Sequence, residues 1–156
     1  MTRTSPIELT NMIMIENSKT HEILVENRKN RKNPNWPGVT FPGGHIESGE
    51  TVVASAIREA YEETGLMIEN PQLVGIKEWP LTEGARYIVL LFKATQYHGT
   101  LQAGREGDIF WTTRDELRHM DTPRTFLDML PVFDELEISE LALGDIYQGE
   151  RTITLL

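Results

Sequence analysis

The chain has 156 residues, no cysteine, 15 basic and 24 acidic side chains, and a formal charge of −9. That length fits one domain, 1–156, and the absence of thiols excludes a disulfide framework and thiolate metal ligands. The acidic balance opposes sequence-independent binding to a nucleic acid polymer or an acidic membrane surface, so a phosphate-bearing ligand needs a cation as intermediary.

Residues 1–6 contain no apolar stretch of signal-peptide length, and the longest apolar run anywhere is 88–92. The expectation is a cytoplasmic protein without a membrane segment. Residues 9–15 and 22–25 are rich in Ile, Val, Leu and Met, and polar residues 16–21 separate them, which predicts strand, turn and strand, most simply an antiparallel pair. From 27 to 38 the chain is basic and polar and includes Pro34 and Pro37, as an exposed loop does. A short strand at 39–41 ends at Pro42, Gly43 and Gly44.

The strongest helical pattern runs from 50 to 64 and stops at Gly65, a residue suited to a left-handed helix end. Val53, Ala56, Ile57, Ala60 and Thr64 share one sector of it, and Glu59, Glu62 and Glu63 share a neighbouring one. Strands follow at 73–79, 86–95 and 108–112. Helical segments are expected at 113–120 and 125–136, the second kinked by Pro131, with a closing hairpin around Gly149 within 141–156. Such an order predicts a mixed sheet covered by helices, an α/β/α or α+β arrangement.

Glu59, Glu62 and Glu63 stand at i, i+3 and i+4, so their side chains lie on adjacent turns. As a solvated acidic face they would repel each other by only about 0.2–0.5 kcal/mol per pair. As a metal platform, their all-oxygen character selects Mg²⁺ or Mn²⁺ over zinc. His45, between two glycines and an isoleucine, reads as structural or solvent-facing, because carboxylates and a metal can activate water without it. Trp36, Trp79, Tyr87, Phe92 and Trp111 could stack on a base, yet aromatic residues in strands usually belong to a core.

The stretch FPGGHIESGETVVASAIREAYEETGL, residues 41–66, resembles the Nudix box of the MutT-like pyrophosphohydrolases. Gly44, Glu50, Arg58, Glu59, Glu62, Glu63 and Gly65 fill the motif in order, and Ala60 alone departs, being small where a bulkier aliphatic residue is common. The resemblance implies an α/β/α sandwich with a mixed sheet and the box helix packed on it. It also implies Mg²⁺-dependent hydrolysis of a small nucleotide in which a nucleoside diphosphate is linked to another group. On this basis Glu59, Glu62 and Glu63 would hold metal with the Gly43 carbonyl, and Glu59 or Glu63 would act as base. Arg58 would orient the carboxylates and Glu50 would brace the loop.

The segment GREGDIFW, residues 104–111, is similar to the place where such enzymes carry another acidic loop residue, which makes Glu106 a further metal ligand or base and Asp108 its competitor. Arg28 would reach a phosphate and Gly44 would border the substrate, although Lys29, Arg31 and Lys32 equally describe a plain basic loop. The implied activity is sanitation of the nucleotide pool by cleavage of 8-oxo-dGTP. ADP-ribose hydrolysis, a non-catalytic nucleotide sensor and an acidic interaction domain remain alternatives. A homodimer is compatible with the sequence, which carries no direct sign of one.

Overall fold

The computed structural model describes residues 3–28, 37–102, 107–147 and 150–156. Strand β1 (Ile7–Ile15) lies parallel to β6 (Arg86–Ala94), which pairs antiparallel with β5 (Gln72–Pro80). On the far side of β5, β9 (Glu140–Tyr147) runs parallel to it and turns back antiparallel into β10 (Glu150–Leu155). The result is a mixed five-stranded sheet in the order β1-β6-β5-β9-β10. A second sheet places β2 (Ile23–Asn27) between β3 (Val39–Thr40) and β8 (Asp108–Thr112), and β4 (Leu66–Glu69) pairs with β7 (Gln96–Gly99).

The antiparallel β1–β2 pair expected from the sequence does not form. The two strands share only an isolated bridge, Glu16 with Ile23, and then diverge into different sheets. Burial on both faces explains the divergence. Ile13 and Ile15 of β1, Leu24 of β2 and Phe92 and Ala94 of β6 pack toward Ala56 and Ala60 of α1 (Val52–Thr64). Met14, Ile23, Val25, Val89 and Leu91 point the other way, into a cluster with Phe41, Leu117, Phe126, Met129 and Phe133. Strands covered on both sides read as near-continuous apolar runs, and such runs suit parallel pairing between covering helices.

The second layer is formed by α2 (Arg114–Leu117), a 3₁₀ turn at Leu127–Met129 and α3 (Leu130–Asp134), each shorter than its sequence pattern suggested. Pro131 sits in the first turn of α3, where its missing N–H removes no helical bond, so it opens that helix instead of kinking a longer one. Arg114 holds this layer to the sheet, reaching Glu16 at 2.6 Å and both carboxylate oxygens of Asp134 at 2.6 and 2.8 Å. The closing hairpin forms as expected, with Gly149 outside the described residues. Among the described residues no helix is long and apolar enough to cross a membrane.

Helix α1 begins two residues later than its pattern suggested. The Thr51 side chain accepts from the Ala54 N–H, and Gly65, at φ 77°, ends the helix in the left-handed conformation. Its buried side is Ser55, Ala56, Ala60, Glu63 and Thr64. Val53, expected on that side, is 42% exposed, and Glu63, expected beside it, is buried. The small Ala60 is fully enclosed against the strands.

Candidate active site

The site is assembled where the loop after β3 runs beside β1. Ile13 N–H donates to the Pro42 carbonyl and Asn11 N–H to the Gly44 carbonyl, each at 2.8 Å. This lays Gly43 so close to β1 that a Cβ there would come within 2.9 Å of Met12 Cα, which leaves no room for a side chain. The Gly43 N–H then faces α1 and donates to Glu63 Oε2 at 2.9 Å. A Cβ on Gly44 would meet the Glu59 carboxylate at 2.5 Å, so that carboxylate occupies the space a side chain would need.

Asn11 joins the loop to the helix. Its Oδ1 accepts from Gly44 N–H at 3.1 Å and its Nδ2 donates to Ser55 Oγ at 2.8 Å, while Ser55 Oγ donates to the Val52 carbonyl at 2.7 Å. Both side chains are buried. Sequence reasoning missed this pair, although a lone amide in the apolar run of β1 was a visible signal.

Arg58 is the electrostatic centre of the loop. It donates to both oxygens of Glu50, at 3.0 and 2.7 Å, to Glu59 at 2.8 Å, to Glu62 at 3.3 Å and to the His45 carbonyl at 3.0 Å. Arg58 holds the Glu50 carboxyl down at about 2, helped by the Glu47 N–H, and Glu50 in turn holds the guanidinium protonated. Glu50 thus ties the loop, through the Glu47 N–H, to Arg58 on the helix. His45 is a surface residue whose Nε2 meets Glu8 at 3.0 Å.

The three box glutamates do not share one environment. Burial raises the Glu59 carboxyl against the opposing influence of Arg58. Burial, then the charge of Glu26, pushes the Glu63 carboxyl well above the usual range, with Arg28 and the Gly43 N–H opposing. Glu62 has a 57% exposed side chain and lies on the solvent side of Arg58. The structure thus brings Glu59 and Glu63 to Gly43 and Gly44, and it keeps Glu62 at the rim. Among the described residues no three carboxylate or imidazole side chains converge at cation-holding distance. The donor set is nonetheless all oxygen, negative and partly desolvated, which fits a hard dication and no softer metal.

Arg28 is buried and its Nε donates to Glu26, so it stands beside the carboxylates and not out in a basic loop. Asp108 is exposed and pairs in register with Asn27. Glu106, Trp36, Lys29, Arg31 and Lys32 lie outside the described residues. Of the remaining aromatics, Trp79 stacks on Tyr87 with centroids 4.3 Å apart, Trp111 packs on Tyr97 and Phe92 is fully buried.

A mixed sheet covered on both faces, with a glycine loop leading into a glutamate-bearing helix, defines an α/β/α domain of the Nudix kind. The chain belongs to the NUDIX domain family, which matches residues 8–131. It is similar to the 8-oxo-dGDP phosphatase NUDT18 of Homo sapiens, 31% identical over 134 residues, covering 85% of this chain and 38% of that protein. It is also similar to the ADP-ribose pyrophosphatase of Methanocaldococcus jannaschii, 34% identical over 96 residues, covering 59% of this chain and 56% of the relative. Among solved structures it resembles the MutT protein of Bacillus halodurans, with a TM-score of 0.71 at 24% identity, covering 95% and 97% of the two chains. The chain spans less than two thirds of the length of the curated relatives it matches.

Proposed function

We propose that this chain is a Mg²⁺-dependent pyrophosphohydrolase, with Mn²⁺ as a substitute, that cleaves 8-oxo-dGTP to the nucleoside monophosphate and pyrophosphate. The observation that carries the reading is the approach of Glu59 and Glu63 to the Gly43–Gly44 loop in a member of the NUDIX family. Resemblance to a phosphatase named for an oxidised guanine nucleotide favours this substrate class.

In this reading Glu59, Glu62 and Glu63, with the Gly43 carbonyl, hold the cation, and Glu106 is a further ligand. The cation, when bound, neutralises phosphate oxygens and makes water a stronger nucleophile. Glu59 or Glu63 takes the proton as water attacks an internal phosphorus, with Glu106 as the loop alternative, and the phosphoanhydride P–O bond breaks toward pyrophosphate. Arg58 favours the ionised form of Glu59 and aims it, Glu50 keeps Arg58 in place, Gly44 lets the substrate come close, and Arg28 offers its guanidinium to a phosphate. The domain 1–156 acts on a small nucleotide in the cytoplasm, as a monomer or a homodimer.

A turnover panel with product identification tests the proposal. Cleavage of 8-oxo-dGTP to monophosphate and pyrophosphate, faster than any turnover of normal dNTPs, 8-oxo-dGDP, ADP-ribose, dinucleoside polyphosphates and nucleotide sugars, is the expected result. No turnover of 8-oxo-dGTP removes that substrate, and preferential cleavage of ADP-ribose transfers the assignment to the reading favoured by the archaeal relative.

A further inference from the structure

On the strand side of the site, β2 and β3 carry two polar side chains into the interior that the reaction above leaves without a role. Glu26 is 1% exposed and Thr40 is 2% exposed. They are direct partners across the antiparallel β2–β3 ladder, so both side chains leave it on the same face. That face is turned toward α1, because Leu24, two residues before Glu26, packs with Ala56 and Ala60, and alternate strand residues share a face. Thr40 also lies three residues before Gly43, whose N–H donates to Glu63 Oε2.

One Glu26 oxygen accepts from Arg28 Nε. Thr40 Oγ1 is enclosed and has no hydrogen-bond partner among the described residues. Buried hydroxyls in folded proteins are normally satisfied, by ordered water where no protein group serves. A hydroxyl without a partner among the described residues, directly opposite a buried carboxylate, marks a place that those residues leave open to a further ligand or water.

We propose that Glu26 and Thr40 form the strand-side wall of the divalent-cation site whose helix side is Glu59 and Glu63. Glu26 adds negative charge and an acceptor oxygen, and the Thr40 hydroxyl takes a water of the ion's hydration shell. A Mg²⁺-sized ion suits such a wall, since it keeps several of its waters and is held partly through them. The inference rests on the cation site of the proposed function and adds two residues outside the box to it.

Mn²⁺ binding to the full chain without nucleotide, followed by the EPR signal of free Mn²⁺, tests the wall apart from catalysis. Glu26→Gln is expected to weaken binding by about tenfold. Thr40→Val should weaken it less, and Thr40→Ser should restore it by returning the hydroxyl. Because Glu26 also holds Arg28, the substitution is repeated in an Arg28→Gln background, where it should still weaken binding; loss of the effect there assigns it to Arg28 and overturns the direct role. Parental affinity in both Glu26→Gln and Thr40→Val, with Glu63→Gln impaired, overturns the wall alone. Parental affinity in Glu63→Gln as well removes the cation site and the proposed function with it. If Glu26→Gln does not fold, the comparison of Thr40→Val with Thr40→Ser decides.

Discussion

The two faces of the central strands bury charge in opposite ways. On the side of α2 and α3, the aromatic cluster encloses a cation, Lys77, which is 5% exposed. Its ammonium donates to Thr125 Oγ1 at 2.9 Å and to the Thr125 carbonyl at 3.4 Å, and it lies 5.9 Å from the Trp79 ring centroid. Burial lowers its pKa to about 8 although Asp128 opposes the shift. On the α1 side, Glu26, Glu59 and Glu63 are all acidic, and each of the first two pushes Glu63 further toward its neutral form. A buried charge answered by neighbouring dipoles is architecture. Acidic groups gathered beside a glycine loop, only partly answered by Arg28 and Arg58, create a demand that an external cation meets.

This contrast is broken most directly at Glu63. Glu63→Gln should lower metal-dependent turnover by roughly 10²–10⁴-fold, the usual contribution of a general base, while the metal-free protein melts no earlier than wild type. A large fall in the metal-free melting temperature would make Glu63 structural and erase the distinction. On the other face the order of effects reverses. Phe41, fully buried against Phe126 and Phe133, is pure packing, and Phe41→Ala should remove about 3–5 kcal/mol of stability, read from the urea midpoint.

The smallest effect at neutral pH is expected for Lys77→Met, within about 1 kcal/mol of wild type, since lost hydrogen bonds are offset by relief of desolvation. Its signature is the pH profile. With the folded pKa at about 8 and the ordinary value at 10.5, the unfolded chain binds more protons between them, so wild-type stability rises with pH across that window. Urea midpoints of Lys77→Met should lack that rise. A rise of equal size in the variant would assign the titration to another group.

Much of the Nudix helix was legible because its determinants are local. Gly65 ends it and the spacing of Glu59 and Glu63 follows from helical geometry alone, whereas its start was read two residues early because Thr51, inside the expected span, is the cap. The separation of β1 from β2 was not legible. Each strand's partners lie far along the chain, and the polar 16–21 turn resembles that of an ordinary hairpin. The strands β4 and β7, four residues each, are too short to show a period. Glu26 escaped notice for a related reason: a single acid near the end of an apolar strand reads as its exit to solvent, and only pairing with Thr40 and packing over α1 turn it inward.

One guanidinium, that of Arg58, joins a loop acid, a loop carbonyl and two helix acids. Geneticists would meet it as epistasis. Once Arg58 is removed, further changes at Glu50 or Glu59 act on an assembly that has already come apart, so paired deletions should fall well short of the sum of single ones. Tolerance at any one of these positions must therefore be judged with the others intact.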